Sequence, residues 1–191
     1  MTSRRVTIFE YQSSWRSDFE AIALQLQKTL ANYALSIDHI GSTAVIDLCA
    51  KDIIDVQVTV QQLDENIAQL LLGAGFTTHK TETFRQDHTP PGLDPNPDDW
   101  TKLFFMQRVG TRRSNIHIRQ LGKPNQRYAL LIRDFLRADK RTADAYGRLK
   151  KRLAAALADP ETYPEVKDPA CDLIFFAAER WAMQTQWHQS T

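Results

Sequence analysis

Two neighbouring stretches decide the fold: His39-Ile-Gly-Ser-Thr-Ala-Val45, and Lys51-Asp-Ile-Ile-Asp-Val-Gln-Val58. The second is dense in β-branched residues and reads as a strand over 53–60. Its apolar members alternate, so Ile54, Val56 and Val58 point to one face and Asp55 and Gln57 to the other. The first reads as the end of a strand over 35–40 that turns at Gly41-Ser42 into one or two helical turns over 43–50. Such a junction suits a phosphate. Gly41 lets the backbone approach closely, Ser42 offers a hydroxyl and an N–H, and a helix start adds positive potential. Twelve residues separate Ser42 from Asp55. A carboxylate on the adjoining strand can hold a divalent cation against phosphate oxygens. The same residues also read plainly as a turn, a cap and a solvated edge aspartate.

Around this pair the chain orders itself. Residues 13–33 have Trp15, Phe19, Ile22, Leu26 and Leu30 at helical spacing, with Ser13 or Ser14 as a cap. A helix over 63–72 ends at Gly73 and Gly75. Residues 82–100 hold Pro90, Pro91, Pro95, Pro97, Gly92 and four aspartates without periodicity, which reads as a long mobile flap. Strands over 102–108 and 115–121 follow, joined by a hairpin at 110–113. Residues 127–157 read as two helices broken near 138–140. A last helix over 168–186 offers Leu173, Phe176, Ala177, Arg180 and Trp181 for packing. The order predicts an α+β fold: one mixed sheet with helices on one face and a helical C-terminal part. A single domain over 1–191 is expected, with its core at about 13–122 and the helical part at about 124–187.

Composition agrees with a globular domain. Apolar residues make up 42% and charged residues 25% of the 191 residues, and the formal net charge is +1. Nothing global points to nucleic acid or membrane as partner. Residues 1–10 carry two arginines and no apolar run, so a signal peptide is not expected, and the cytoplasm is the default compartment. Cys49 and Cys171 stand outside any metal-ligand spacing and read as small buried hydrophobes. Residues 126–157 carry nine Lys/Arg against three Asp, a net of +6, and 158–191 carry two against six acids, a net of −4. That asymmetry reads as an internal salt-bridged contact or a solvated face, or else as an anionic ligand held between the sheet and Arg133, Arg137 or Lys150. Arg112, Arg113 and Arg119 would enlarge such a site. No aromatic stacking platform accompanies the basic helices, which weighs against RNA.

The motif from His39 to Val45, followed by Lys51-x-Ile-Ile-Asp55, resembles the signature of the GrpB family. Later segments resemble it in the same order: Asn115-Ile-His-Ile118, Ile132-Arg-Asp-Phe-Leu-Arg137, Ala145-Tyr-Gly-Arg-Leu-Lys150 and Tyr163-x-x-x-Lys167. The resemblance spans about 150 residues. It implies a polymerase-β-like nucleotidyltransferase fold, found also as an appendage of dephospho-CoA kinase. That superfamily's pattern is a Gly-Ser turn, two metal-binding acids on the next strand and a third acid on a later strand. Gly41, Ser42 and the first acid, Asp55, match. The second position is Gln57, an amide and a poor Mg²⁺ ligand. The later strand offers Asn115, His117 and Arg119 and no acid. Ile46-Asp47 and Asp52 stand where the family has Pro-Gly and Pro.

The resemblance implies a nucleotide or phosphorylated small molecule as ligand, with Mg²⁺ or Mn²⁺ and a nucleoside triphosphate as the cofactor set. Asp55 is the candidate metal ligand and, with His117, the candidate catalytic pair. His117 reads as a base, a ligand for a softer metal, or a structural histidine. Gly41, Ser42, Thr43, Lys51, Gln57, Arg119, Arg133 and Lys150 are the candidate ligand-binding residues, Lys51 being equally a surface lysine. Two functions stay open: nucleotidyl transfer, and a non-catalytic phosphate-binding or folding-accessory domain.

Overall fold

The computed structural model describes residues 6–78, 82–157, 159 and 162–189. Residues 1–5 of the N-terminal stretch and Glu161 of the acidic set lie outside them. Helix α1 (Ser14–Leu30) buries Trp15, Ile22, Leu26 and Leu30, four of the five expected positions. Phe19, the fifth, is half-buried and stacks on His39 with ring centroids 4.7 Å apart. Ser13 precedes the helix without a side-chain cap bond. A short turn then feeds β1 (Ala34–Ile40), followed by β2 (Ile54–Val60) and α2 (Glu65–Gly73). Asp64 caps α2 by accepting from the Asn66 amide at 2.8 Å.

Three further strands complete the sheet: β3 (Phe84–Gln86), β4 (Thr101–Met106) and β5 (Ser114–Gln120), with α3 (Pro97–Trp100) between β3 and β4. Their order is β1-β2-β5-β4-β3, and only the central β2–β5 pair is parallel. In that pair Asp55 lies beside Asn115, Gln57 beside His117 and Thr59 beside Arg119. The alternation read from the sequence therefore sorts the two faces. Ile54, Val56, Val58 and Val60 join Leu103, Phe105, Ile116 and Ile118 in a core closed by α1 and α2. The polar side chains gather on the other face.

Over that face stands the C-terminal part: α4 (Pro124–Ala138), α5 (Lys140–Ala156) and α6 (Tyr163–Thr185). These helices form a second core with Val45 and Leu48 from the turn after β1. Asp139 marks the expected break, ending α4 and capping α5 through the Thr142 amide at 3.0 Å.

Four expectations change. The 43–50 stretch has only a three-residue 3-10 turn, Ser42–Ala44, because Val45 is extended and Asp47 sits at φ 64°. No helix N-terminus therefore faces a ligand there. The 82–100 segment is not structureless: it supplies β3 and α3, and Trp100 is buried, with its indole N–H donating to the Asp94 carbonyl at 2.9 Å. Helix α6 begins at Tyr163, five residues before the expected start, with Pro164 in its first turn and Pro169 inside it. A proline is tolerated in the first turn because its missing N–H has no helical partner there. The packing face of α6 is also wider than expected: Phe176, Ala177 and Trp181 pack against the second core as expected, Ile174, Phe175, Ala178 and Ala182 are buried beside them, and Leu173 is 73% exposed. Among the described residues no helix is long and apolar enough to cross a membrane.

Candidate functional site

The polar face of the sheet and the three C-terminal helices enclose a cavity of about 520 Å³, a volume in the range of small-molecule sites. The turn after β1 forms its floor. Gly41 has φ 69° and ψ −170°, a conformation open to glycine alone, and a Cβ there would lie 2.5 Å from Asp55 Oδ2. The turn thus packs directly on the Asp55 carboxylate. Ser42 Oγ accepts from Lys150 Nζ at 2.7 Å. Thr43 also lines the cavity, its hydroxyl hydrogen-bonded to His39 Nε2 at 3.0 Å.

Lys150 is the most constrained cation of the site. It is 3% exposed, and its ammonium also donates to the Cys49 carbonyl and lies 4.6 Å from the centre of the Tyr146 ring. All three partners are uncharged. Burial lowers its pKa to about 8. Lys51 lies 4.0 Å over the Tyr163 ring, and burial followed by the nearby charge of Lys167 lowers its pKa too. Lys167 donates to Cys171 Sγ at 3.1 Å, with Asp168 Oδ1 at 3.9 Å. With Lys102 of β4, four lysines therefore line one cavity.

Asp55 lies across the cavity floor. Its Oδ1 accepts from Asn115 Nδ2 at 2.8 Å, and His117 Nε2 stands 4.0 Å from the same oxygen. Burial pushes the Asp55 carboxyl up, against the Asn115 hydrogen bond and the charges of Lys167, Lys102 and Arg119. His117 Nδ1 faces two cationic donors, Lys102 Nζ at 3.1 Å and Arg119 Nη2 at 3.4 Å. Nδ1 is then the acceptor, and the ring proton is assigned to Nε2 from this network. Burial, Lys102 and Arg119 together hold the imidazole well below its ordinary pKa, so it is neutral. A neutral Nε2–H donates toward the cavity; it neither takes a proton at that nitrogen nor offers a metal a lone pair. The expectation of a basic or metal-ligating His117 is revised on that ground.

Two expected residues sit behind the cavity wall instead of in it. Gln57 is fully buried, donates to the Gln126 carbonyl at 3.1 Å and accepts from Arg119 Nη1 at 2.7 Å. Arg119 also donates to Asp87, Nε to Oδ2 at 2.8 Å and Nη2 to Oδ1 at 3.0 Å. Arg133 reaches the cavity wall but is held by Asp134 at 2.7 Å, the His39 carbonyl at 3.2 Å and Asp38 at 3.3 Å, bracing α4 against β1. Arg137 likewise clamps the Ala44 carbonyl at 2.9 and 3.0 Å. Arg112 lies elsewhere, tied to Asp18 and Asp52, and does not enlarge the site. The net charges of the two C-terminal segments are partly matched internally, as in the Arg127–Glu179 pair at 3.0 Å.

The donor set does not fit a pair of divalent cations. Among the described residues no three His, Cys, Asp or Glu side chains come together to hold a metal. Asp55 is the single carboxylate on the β2 side, Gln57 is fully engaged, and the third position is answered by the cations Lys102 and Arg119. Sequence reasoning missed Asp87, Lys102, Tyr128, Tyr146 and the roles of Tyr163 and Lys167. The Tyr163–Lys167 pair, four apart on one helix face, carried a usable signal. Asp87 carried none, since it lies in an aperiodic segment. Cys49 is buried as expected; Cys171 is half-buried and lines the cavity, its sulfur 3.4 Å from the Tyr146 hydroxyl.

The family profile described as GrpB protein matches residues 5–175. The chain is 34% identical over 196 residues to a dephospho-CoA kinase of Mycobacterium leprae, covering 91% of this chain and 46% of that protein. It is 31% identical over 149 residues to a UPF0157 protein of Halalkalibacterium halodurans, covering 78% and 69%. The crystal structure of a conserved protein GrpB from Enterococcus faecalis matches with a TM-score of 0.72 at 28% identity, over 92% of this chain and 99% of that one. The chain thus spans about half the length of the first curated relatives it matches.

Proposed function

The chain belongs to the GrpB protein family, and from that premise we propose that it binds a nucleotide or other phosphorylated small molecule in the cavity between sheet and helices, with lysines in the place that a metal pair would take. The observation that carries this reading is Lys150. An ammonium 3% exposed hydrogen-bonds only to neutral atoms, and the carboxylate that acts on it, Asp55, does so through space without an ion pair. Such a charge is costly unless an anion joins it. Lys51 and Lys167 face the same space, and Ser42 adds a hydroxyl, so a phosphate dianion meets several donors at once.

Nucleotidyl transfer is the second reading, favoured by one observation: the Gly41-Ser42 turn is packed on Asp55, as a metal-phosphate site would need. Gln57 and His117 weigh against it, since neither is free to ligate Mg²⁺ or Mn²⁺. Segments like this chain occur within dephospho-CoA kinases, so adenine nucleotides with a CoA-type tail belong among the probes. A small phosphorylated ligand and free cysteines suit a cytoplasmic setting.

Calorimetric titration with ATP, CTP, GTP, UTP and dephospho-CoA, with and without Mg²⁺ or Mn²⁺, tests the proposal. Binding that persists in chelator supports it, and binding only with metal supports transfer chemistry instead. Ser42→Ala weakens the binding by about 1 kcal/mol, and by more if the contact is charge-assisted.

A further inference from the structure

Asp55, Asn115 and His117 are an unusual set for a metal site and a good one for hydroxyl groups. Asp55 Oδ1 is fixed by Asn115, which leaves Oδ2 and one lone pair of Oδ1 to accept. His117 is held as a donor, because Lys102 and Arg119 occupy Nδ1 and leave Nε2–H pointing to the Asp55 side of the cavity. Lys102 is itself fixed by Asp87, so the imidazole has little freedom to reverse. An acceptor and a donor about one hydroxyl apart, 4.0 Å between His117 Nε2 and Asp55 Oδ1, match the alternating donor and acceptor of a sugar or polyol hydroxyl.

The phosphate end is adjacent. Gly41 packs on Asp55 Oδ2, Ser42 follows it, and Ser42 Oγ lies 2.7 Å from Lys150 Nζ. A second buried group faces the need for a polar ligand: among the described residues the buried Tyr163 hydroxyl meets no hydrogen-bond partner, on a side chain 2% exposed that lines the same cavity. A buried hydroxyl left unpaired destabilises the empty site until a ligand acceptor meets it.

We propose that the Asp55–His117 pair recognises ligand hydroxyls, so that the ligand class is a phosphorylated sugar or polyol, with ribose 5-phosphate as its test compound, bound without metal. This rests on the phosphate reading of the Lys150 end and adds the second half of the molecule. Asp55 accepts from one hydroxyl, His117 Nε2–H donates to the same or the neighbouring oxygen, and the phosphate lies against Ser42 and Lys150.

Titrations in chelator with inorganic phosphate, n-butyl phosphate and ribose 5-phosphate separate the two halves. The expected result is that all three bind and that ribose 5-phosphate binds roughly tenfold tighter than n-butyl phosphate, as about two extra hydrogen bonds allow. Asp55→Asn, an isosteric change that keeps an acceptor for Asn115, should shrink the ratio of the ribose 5-phosphate to the n-butyl phosphate affinity, both measured in the same variant, because the charged acceptor for the hydroxyls is gone. Equal affinities in the unsubstituted protein would overturn the hydroxyl proposal and leave the phosphate site standing. Binding of none of the three would overturn both. Ribose 5-phosphate binding that appears only with Mg²⁺ would make Asp55 a metal ligand and overturn the proposal as well. A Tyr163→Phe protein supplies an independent check: it should fold at least as stably as the parent, because an unpaired hydroxyl is removed, and should bind ribose 5-phosphate several-fold more weakly.

Discussion

Gly41 admits no side chain for two separate reasons, its positive φ and the Asp55 carboxylate beneath it. Gly41→Ala should therefore destabilise the fold by roughly 1–3 kcal/mol, measured by urea titration, and should impair phosphate binding more than a distant substitution of equal effect. Lys150 gives a pH signature of definite sign. Its folded pKa is about 8 against an ordinary 10.5, so the unfolded chain holds the extra proton between those values. The burden on folding is full below pH 8 and lifts as pH rises toward 10.5, so stability of the free protein should increase through that window. Lys102, also lowered to about 8 by burial in spite of Asp87, acts in the same direction. Phosphate binding needs the ammonium and should weaken above pH 8, the opposite trend. Lys150→Met should remove its share of both, which denaturation and titration across pH 7–10 would show; trends that persist in that protein would assign them to other groups. At this level the Gly41-Ser42 turn and the shared face of Asp55 and Gln57 were readable, because turn chemistry and strand alternation are local, whereas the misfit of Gln57 came from the family resemblance. Tyr163 and Lys167 were not placed in the cavity, because Lys51, which lies over the Tyr163 ring, belongs to the β1–β2 connection, and only tertiary packing brings α6 to it.

Strands β1, β2 and β5 were readable from their β-branched alternation, and the break between α4 and α5 from Asp139. The 82–100 segment was not. Its period is broken by five Pro/Gly residues, and what orders it is tertiary: Asp87 binds Lys102, Arg119 and Asn125, His88 meets Asp172 at 2.9 Å, and Asp99 meets Lys123 at 2.7 Å. Arg119 and Lys102 hold Asp87 far below the usual carboxylate range, though burial alone would raise it. Asp87→Ala would strand Lys102 and Arg119, 8% and 5% exposed, without their counter-charge. A loss of about 3–5 kcal/mol of stability is expected, read by chemical denaturation, and a loss under 1 kcal/mol would show that the cluster relaxes freely. The expected flap is thereby narrowed. The Asp87 amide, which donates to the Trp100 carbonyl at 2.8 Å, should resist hydrogen exchange while the exposed 91–98 tip exchanges fast. Uniform fast exchange from 82 to 100 would restore the fully mobile flap.

The molecule has two cores on opposite sides of one sheet, the first under α1 and α2, the second among α4, α5 and α6. The cavity lies where the second meets the polar face, and its lysines come from the β1–β2 connection, β4, α5 and α6. Sequence composition hinted at this through the basic α4–α5 stretch, but most of those charges turned out to be spent: Arg133 and Arg137 hold backbone carbonyls of the turn, and Lys150 alone of that stretch is buried against neutral atoms. An anion bound there would join both halves of the chain and stabilise them together. The decisive measurement is a calorimetric titration of ATP and inorganic phosphate in chelator, run on the parent protein and on Lys150→Met, with circular dichroism showing that both are folded. Metal-independent binding in the parent that falls at least tenfold in Lys150→Met is the predicted result. Binding that requires Mg²⁺, or that is the same in both proteins, would contradict a lysine-held phosphate site.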